Sequence, residues 1–246
     1  LDIQRMMRQM VDAGCKALVM EVSSQGLMQS RVDGIEFNIG VFTNISPDHI
    51  GEGEHVDFDD YFSWKCHLFD ISKRVIINGN DLHWQKALQK HKVKNLITFG
   101  KGENFDLKYE LDGFSVEKGK LKTAFRICGN KPYADLICKS LEIPLPGEFN
   151  VENALAAIST ARALGVPWDI IERGLKNVKI PGRSEIINLD NGIIAMVDYA
   201  HNGVALENLL ISLKQYNPSR LIVVFGCGGN RDKSRRYEMG KKAYDL

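Results

Sequence analysis

Apolar and polar residues follow one another along the first hundred residues in blocks that alternate between two periods. Apolar side chains recur at helical spacing over about Ile3–Ala13, which predicts a helix. The apolar run Ala17–Val22 that follows is typical of a buried strand. The alternation continues with a strand at Ile35–Asn44, a helix at Phe58–Phe69, a strand at Val75–Asn78, a helix near Leu82–Gln89 and a strand at Leu96–Phe99. Strands alternating with helices predict a parallel, doubly wound sheet of the α/β class.

The pattern changes between about Phe105 and Leu145. Apolar and polar residues alternate one by one there, which is typical of strands with one solvent-exposed face. Turn-forming pairs stand at Asp112–Gly113, Lys118–Gly119 and Gly129–Asn130. This segment therefore predicts an antiparallel hairpin layer added to the parallel sheet.

Two helices and the start of a second domain are predicted in the remainder of the chain. The helices are Val151–Leu164 and Pro167–Leu175, the second with proline in its first turn. The stretch Lys179–Arg183, which contains a Pro-Gly pair, is the best boundary candidate and divides the chain into domains 1–180 and 181–246. The second domain begins with a strand at Ile193–Asp198, a helix at Ala205–Tyr216 and a strand at Leu221–Phe225, which predicts the start of a Rossmann-like α/β domain.

Composition adds limits on the class of protein. The 246 residues are 44% hydrophobic and 26% charged, and the net charge is +1, so no bulk electrostatic attraction to nucleic acid or membrane is indicated. No apolar run is long enough to span a bilayer. The odd number of cysteines, without a C-x-x-C pair, predicts reduced thiols in a cytoplasm and neither a disulfide framework nor a zinc site. The cysteines are Cys15, Cys66, Cys128, Cys138 and Cys227.

Both ends of the chain fall within helical patterns. Leu1 opens the first predicted helix without an initiator methionine, and Leu246 closes a helical stretch that begins at Tyr237. Neither end carries the polar residues, glycine or proline expected at a domain edge. We therefore expect the chain to be a piece of a longer protein.

Four groups of residues carry a family resemblance when they are taken together and in order. Residues 20–32 read MEVSSQGLMQSRV, residues 43–69 contain TNISPDH and DYFSWKCHLF, and residues 147–156 read GEFNVENALA. The last group consists of PGRSEI at 181–186, VDYAHNGVALENLL at 197–210 and VFGCGGNRDKSRR at 224–236. The set resembles the Mur ligases, and most closely the MurE type, which adds the third amino acid to the UDP-MurNAc-dipeptide precursor of peptidoglycan.

The resemblance implies a magnesium site at Glu21, His49 and Lys65. Glu21 follows the first apolar run, and a carboxylate at the carboxyl end of a parallel strand suits a hard cation such as Mg²⁺. The resemblance also implies that Lys65 is N6-carboxylated by CO₂, which replaces a cation with an anionic oxygen ligand. The residues by themselves equally allow a solvated glutamate, an exposed loop histidine and a lysine whose ammonium reaches the surface from an apolar helix face.

Four residues in the first group match positions that hold the muropeptide in MurE-type ligases. They are Ser23, Ser24, Gln29 and Arg31. Arg31 suits a carboxylate or a diphosphate because its planar guanidinium binds such groups with two parallel hydrogen bonds.

The resemblance assigns five residues to the nucleotide. Asn153 is similar to a residue that contacts adenine, Arg183 to the arginine that reaches an ATP phosphate, and Asp198 to a residue on the ribose. Arg231 and Asp232 follow a glycine-rich turn of the kind that lets backbone approach a nucleotide. By itself, Asn153 is equally a helix-entry asparagine, and the glycine-rich turn is equally a tight connection. Lys65 and Arg183 are the residues to which the resemblance gives catalytic roles.

The function implied by the resemblance is that of a cytoplasmic, ATP-dependent amide ligase of peptidoglycan and cell-wall synthesis. ATP would be the co-substrate with Mg²⁺, and an acyl phosphate formed on the substrate would be displaced by the incoming amine. Domain 1–180 would then be the central ATPase domain, and domain 181–246 the start of the amino-acid-binding domain. We expect a monomer whose partners are UDP-muropeptide, ATP and an amino acid, without nucleic acid or membrane.

Two alternatives stay open at this point. A folylpolyglutamate synthetase-like ligase shares the fold and the chemistry, although VDYAHN and the match over Glu21–Arg31 favour the MurE type. A non-catalytic binding piece is favoured by the lack of a G-x-x-x-x-G-K-[ST] phosphate loop in these 246 residues, so we expect the chain by itself to be inactive. The sequence leaves open whether diaminopimelate, lysine or another amino acid is added.

Overall fold

The computed structural model describes residues 2–47, 50–51, 53–91, 93–130, 133, 135–136, 138–189, 192–228 and 234–246. Contacts between residues divide the chain into two compact units, Leu1–Gly100 and Lys101–Leu246. No helix among the described residues is long and apolar enough to cross a membrane.

The first unit is a set of parallel strands with helices. Its elements are α1 (Asp2–Asp12), α2 (Ser24–Met28), β1 (Gly40–Phe42), α3 (Phe58–Cys66), a 3-10 turn (His67–Phe69), β2 (Val75–Asn78), α4 (Trp84–Gln89) and β3 (Leu96–Gly100). Strand β2 lies between the other two and is parallel to both, with Ile76 opposite Val41 of β1 and Ile97 of β3. Every residue of β2 is buried, as expected for a parallel strand that is covered on both faces.

Helix α3 is held in the first unit by its aromatic side. Phe62 is 1% exposed and belongs to one hydrophobic cluster with Phe42 of β1 and Ile77 of β2. The helix begins at a capping residue, because the Asp57 carboxylate accepts a hydrogen bond from the Asp60 N–H at 2.8 Å. The cap determines where the helix begins, and the aromatic residues determine which side of it faces the core.

The strand predicted at Ala17–Val22 is wrong. These residues have no regular secondary structure, and Val19 is 95% exposed. A strand needs a neighbouring strand to exchange backbone hydrogen bonds with, and no strand within the described ranges pairs with this segment. The strand predicted at Ile35–Asn44 forms only over Gly40–Phe42, which is the part that pairs with β2.

The second unit joins an antiparallel layer to helices. Its elements are β4 (Leu107–Glu117), β5 (Lys120–Gly129), β6 (Lys139–Ile143), α5 (Glu148–Ala163), α6 (Trp168–Lys176), β7 (Glu185–Asn188), β8 (Ile194–Val197), α7 (Gly203–Lys214) and α8 (Ser234–Asp245). Strand β5 pairs antiparallel with β4 on one side and with β6 on the other. Helix α5 contacts β4 and β5, and the core there contains four fully buried side chains: Phe125, Ile127, Leu155 and Ile158.

One of the predicted turns in this layer is confirmed and one is wrong. Lys118 and Gly119 connect β4 to β5 with positive φ angles of 50° and 75°, as a two-residue type I′ hairpin requires. Strand β4 instead continues through Asp112–Gly113, where the register shifts in a β-bulge. The bulge accommodates Asp112 as an extra residue on β4. Pairing with β5 resumes after it and continues as far as the Lys118–Gly119 turn.

In the described part of the chain beyond residue 181, the second unit contains a strand pair and two helices. Strands β7 and β8 are antiparallel, and α7 packs on α8 through Leu206, Leu210 and Met239. The strand predicted at Leu221–Phe225 is wrong. This segment has no regular structure, Val224 is 93% exposed, and no strand in the described part of the chain pairs with it, so its backbone lacks the partners that a strand requires.

A disulfide joins Cys128 to Cys138, so the prediction that all cysteines are reduced thiols is wrong. Cys128 lies near the end of β5, and the chain returns antiparallel in β6, where Lys139 stands opposite Ile127. The strand pairing brings the two sulfurs, which are 10 positions apart in sequence, within bonding distance. The spacing of the cysteines alone does not predict this disulfide, because it depends on how the strands pair. The remaining cysteines are free: Cys15, Cys66 and Cys227.

The predicted fold class is confirmed. The chain is α/β, with parallel strands and helices, an antiparallel hairpin layer, and a further strand-and-helix segment after residue 181. The division into domains at residue 180 stays a prediction.

Candidate active site

The substrate candidates of the first unit lie on a short, tightly turned segment. Ser23 is extended and caps α2, because its Oγ accepts a hydrogen bond from the Gly26 N–H at 3.0 Å. After the helix, Ser30 takes a left-handed conformation with φ of 57°. This turn places Gln29 and Arg31 side by side, and the Arg31 guanidinium donates to Gln29 Oε1 at 2.5 Å.

Three of the predicted residues line one cavity. Glu21, Ser23 and Arg31 share a cavity of about 310 Å³ with methionines of α1 and with the exposed segment before α2. The cavity joins an apolar wall to one carboxylate, one hydroxyl and one guanidinium. Such a lining suits a ligand that has both an apolar part and an anionic group.

Lys65 is half-buried on α3, beside the aromatic ring that the helical spacing predicts. Its Nζ donates to the Tyr61 hydroxyl at 3.2 Å and lies 5.3 Å from the centre of the Tyr61 ring. The next residue, Cys66, faces the core, and burial raises the pKa of its thiol to about 12. Lys65 therefore stands at the border of the buried face of α3, within reach of solvent.

A buried histidine joins α2 to α3, and sequence reasoning missed it. His55 is fully buried, its Nε2 is 2.9 Å from Ser24 Oγ, and its Nδ1 is 3.0 Å from Asp60 Oδ2. Its ring packs against the Tyr61 ring, with 5.3 Å between centroids. The one available signal was a histidine two residues before the cap residue of a predicted helix, and that signal does not identify a partner 31 residues away.

The described residues do not complete a magnesium site. Glu21 is exposed and does not follow a strand, and within the ranges the structure describes no group of three or more His, Cys, Asp or Glu side chains could hold a metal ion. The predicted ligand His49 lies outside the described residues. Lys65 carries a nitrogen, and Mg²⁺ prefers oxygen, so this position fits the metal only after carboxylation.

In the second unit, Asn153 is exposed on α5. Its Nδ2 donates to Asn150 Oδ1 at 3.3 Å, and Asn150 Nδ2 donates in turn to the Pro146 carbonyl at 2.8 Å. Asn150 is the buried member of this chain of hydrogen bonds and satisfies the backbone at the helix start.

Asp198 organises the turn that carries Arg183. Its Oδ2 accepts from the Ser184 N–H at 2.7 Å and from Ser184 Oγ at 3.2 Å, and its Oδ1 accepts from the Ala200 N–H at 2.8 Å. Ser184 is held with a positive φ of 46°. The exposed Arg183 guanidinium lies over the Tyr199 ring at 4.6 Å, in a cation–π contact.

The structure thus brings the predicted residues together within each unit. In the first unit, Glu21, Ser23 and Arg31 share a cavity, and Lys65 is connected to Ser24 through Tyr61 and His55. In the second unit, Asp198 holds the turn that carries Arg183 through its hydrogen bonds to Ser184, and Asn153 lies on α5. The predicted nucleotide residues Arg231 and Asp232 lie outside the described residues.

Comparison with known families identifies two domains of one family in the chain. Residues 1–161 match the Mur ligase middle domain, and residues 182–246 match the Mur ligase glutamate ligase domain. The chain belongs to the Mur ligase family.

Relatives within that family are named as diaminopimelate or L-lysine ligases. The chain is 38% identical to UDP-N-acetylmuramoyl-L-alanyl-D-glutamate--2,6-diaminopimelate ligase of Geobacter metallireducens, over 99% of this chain and 47% of that protein. It is 38% identical to the corresponding L-lysine ligase of Streptococcus sanguinis, over 98% of this chain and 47% of that protein. The resemblance to the MurE type is therefore confirmed, and the chain spans about half the length of these relatives.

A solved structure gives the same result for the fold. A 2,6-diaminopimelate ligase of the same name superposes with a TM-score of 0.64 at 30% identity. The superposition covers 91% of this chain and 45% of that chain.

Proposed function

We propose that this chain is part of an ATP-dependent amide ligase that adds the third amino acid to UDP-MurNAc-L-Ala-D-Glu. The observation that supports this most is the 38% identity, over nearly the whole chain, to relatives named for that reaction. In the proposed division, residues 1–180 form the central ATPase domain and residues 181–246 begin the amino-acid-binding domain.

The proposed reaction has two balanced steps. The terminal carboxylate of the substrate attacks the γ-phosphorus of ATP, which yields an acyl phosphate and ADP. The amine of the incoming amino acid then attacks the acyl carbon, an amide bond forms, and inorganic phosphate leaves with loss of a proton from nitrogen. Both steps concentrate negative charge on phosphoryl oxygens, so cationic side chains and N–H donors near them lower the barrier.

The proposal gives the muropeptide to the cavity of the first unit. Ser23, Ser24, Gln29 and Arg31 are the proposed holding residues, and Arg31 has the geometry to bind a carboxylate or diphosphate with two hydrogen bonds. The cavity shared by Glu21, Ser23 and Arg31 supports this assignment. Because Arg31 already donates to Gln29, the pair would move together when an anion arrives.

The proposal gives the nucleotide to residues of the second unit. Arg183 would meet an ATP phosphate, Asn153 the adenine and Asp198 the ribose, with Arg231 and Asp232 nearby. The exposed guanidinium of Arg183 supports its part in this assignment. Asp198 already accepts three hydrogen bonds, two from Ser184 and one from the Ala200 N–H, so it would act on the nucleotide mainly by holding the turn that carries Arg183.

Lys65 is the proposed site of N6-carboxylation. The neutral amine adds to CO₂ and releases a proton, which leaves an anionic carbamate. Among the described residues the Lys65 ammonium forms no ion pair with a carboxylate, and its Nζ donates to the Tyr61 hydroxyl, which supports an amine available for this reaction. Glu21, His49 and carboxylated Lys65 would then be the oxygen and nitrogen ligands of Mg²⁺ in the proposal.

The proposed partners are small molecules, and the proposed setting is a cytoplasmic monomer. The test is tripeptide synthesis by the full-length protein with ATP, UDP-MurNAc-L-Ala-D-Glu and either diaminopimelate or L-lysine, followed by mass spectrometry and phosphate release. We expect one of the two amines to give a product whose mass equals substrate plus amino acid minus water. Absence of product with both amines, in a protein that still binds ATP, would refute the proposal.

A further inference from the structure

His55 forms a buried polar chain with two residues from different elements. Nδ1 lies 3.0 Å from Asp60 Oδ2 on α3, and Nε2 lies 2.9 Å from Ser24 Oγ at the start of α2. The imidazole is fully buried, and Ser24 is 5% exposed. Buried polar atoms that lose their partner cost more than exposed ones, because water does not replace the lost hydrogen bond.

The direction of these hydrogen bonds follows from their chemistry. An ionised carboxylate only accepts, so the proton of a neutral His55 ring is on Nδ1 and is donated to Asp60. Nε2 is then an acceptor, and the Ser24 hydroxyl donates to it. The hydroxyl of Ser24 is therefore bonded inside the protein, so its part in holding the muropeptide would be indirect, and its neighbour Ser23 is the serine that lines the cavity.

His55 also contacts Tyr61, the residue that is hydrogen-bonded to Lys65. Its ring packs on the Tyr61 ring at 5.3 Å, and the Tyr61 hydroxyl accepts a hydrogen bond from Lys65 Nζ at 3.2 Å. Asp60 precedes Tyr61 on α3. One residue thus contacts both the segment that carries the substrate candidates and the helix that carries Lys65.

We propose that His55 is a positioning residue, which sets the Ser23–Arg31 segment in place relative to Lys65 through its hydrogen bond to Ser24. This inference rests on the proposed function for its catalytic consequence, and on the hydrogen bonds alone for its structural one. A displacement of about 1 Å in a reacting group lowers the rate by about 100-fold, so loss of this link reduces turnover although His55 does not touch substrate.

The test compares His55→Asn with Ser24→Ala in the full-length protein. Asparagine keeps a side-chain amide near the Nδ1 position, where it still donates to Asp60, and it does not reach Ser24. Ser24→Ala removes the hydroxyl at the other end of the hydrogen bond between Ser24 and His55. We expect each variant to lower kcat/KM for the muropeptide by about 10-fold or more, with KM for ATP changed less than about threefold.

A double variant sharpens this comparison. If both changes break one bond, Ser24→Ala/His55→Asn is no slower than the slower single variant, whereas independent effects multiply. The matched control is His67→Asn, because His67 also pairs its Nδ1 with an aspartate, Asp70 at 3.1 Å, and is 43% exposed. The control is expected to keep kcat/KM within about twofold, as usual for surface substitutions.

Hydrogen exchange supplies a readout that does not depend on activity. We expect the amides of residues 24–31 to exchange faster in His55→Asn and Ser24→Ala than in the parent, while the amides of the central strand β2 are unchanged. Unchanged exchange at residues 24–31 would overturn the proposal, and so would multiplicative effects in the double variant. If the parent itself makes no tripeptide while exchange changes as expected, the proposed function fails and the positioning role of His55 stands.

Discussion

The helix that carries Lys65 and the turn that carries Arg183 are held in different ways. Near Lys65 a hydrogen bond joins two residues far apart in sequence, Ser24 and His55, which are 31 positions apart. Near Arg183 one carboxylate, Asp198, accepts hydrogen bonds from the backbone N–H of Ala200 in its own turn and of Ser184 in the turn before β7.

The difference shows two ways of keeping a reactive side chain in place. A series of side-chain hydrogen bonds through a buried histidine depends on the packing of two helices. A substitution in one of its residues therefore weakens the connection between the two helices. A carboxylate that caps a turn depends only on the pairing of a local hairpin. The effect of removing the carboxylate is therefore confined to that turn. Substitutions at the two places should therefore differ in what they damage.

The largest effect is expected from Lys65→Ala. We expect ligase turnover in the full-length protein to fall by more than about 1,000-fold, which corresponds to about 4 kcal/mol of barrier, with partial recovery when a short carboxylic acid is added. The acid would fill the vacated space and replace the oxygen of the proposed carbamate. Turnover is measured by phosphate release dependent on muropeptide and amine.

The matched control for this change is Lys86→Ala. The Lys86 Nζ also lies 5.3 Å from an aromatic ring, that of Phe62, and pairs with Asp59 on the surface. We expect the control to keep its turnover within about twofold. Near-normal turnover in Lys65→Ala would mean that the two lysines are alike, as surface residues resting on aromatic rings.

The next effect concerns the thiol next to Lys65. Burial raises the pKa of Cys66 to about 12, so at pH 8 only about one thiol in 10⁴ is ionised and able to react. We expect an alkylating reagent to modify the exposed Cys15 at least about 100-fold faster than Cys66 in the native protein. Peptide mass spectrometry at timed intervals measures both rates.

Urea is the control for the labelling experiment, because both thiols become accessible once the protein unfolds. The sign of the pH dependence follows from the raised pKa. The neutral thiol of Cys66 persists as pH rises through the usual range for cysteine, and it ionises only near pH 12. Equal rates of labelling in the native protein would show that α3 opens readily and does not hold Lys65 in a fixed place.

A smaller effect is expected from Asp198→Ala. The change leaves the Ser184 and Ala200 N–H groups without their acceptor, and we expect a loss of about 1–3 kcal/mol in the free energy of unfolding. Asp198→Asn keeps one acceptor oxygen and should lose less. Urea unfolding measures both, with Glu117→Ala as a surface control expected to change by less than about 0.5 kcal/mol. Equal stability of Asp198→Ala and the parent would contradict the capping role.

The smallest effect is expected from Ser184→Gly. The positive φ of 46° is strained for serine and natural for glycine, while the Ser184 Oγ contact to Asp198 is lost. The two terms oppose each other, so we expect a net change within about 0.5 kcal/mol. Ser184→Val, which is β-branched, should instead cost about 1–2 kcal/mol at this φ. If valine were tolerated as well as glycine in urea unfolding, the turn would not have the left-handed geometry described here.

The prediction from sequence was confirmed for segments whose structure depends on residues within the segment or next to it. The strand Val75–Asn78 has the predicted bounds, because a short run of buried β-branched residues favours one structure. The helix that carries Lys65 begins at Phe58 as predicted, next to the Asp57 cap. The Lys118–Gly119 turn follows from the backbone preference of its glycine. The ordered motifs identified the family, since each is a local string of residues.

Tertiary structure decided the features whose partner lies elsewhere in the chain. Ala17–Val22 and Leu221–Phe225 have the composition of strands, yet a strand forms only where another strand accepts its hydrogen bonds. The Cys128–Cys138 disulfide depends on the return of β6 along β5. The Ser24–His55 hydrogen bond depends on the packing of α2 against α3. In each case the sequence supplies the chemical groups, and only the fold brings them within bonding distance, because that distance depends on the path of the chain between them.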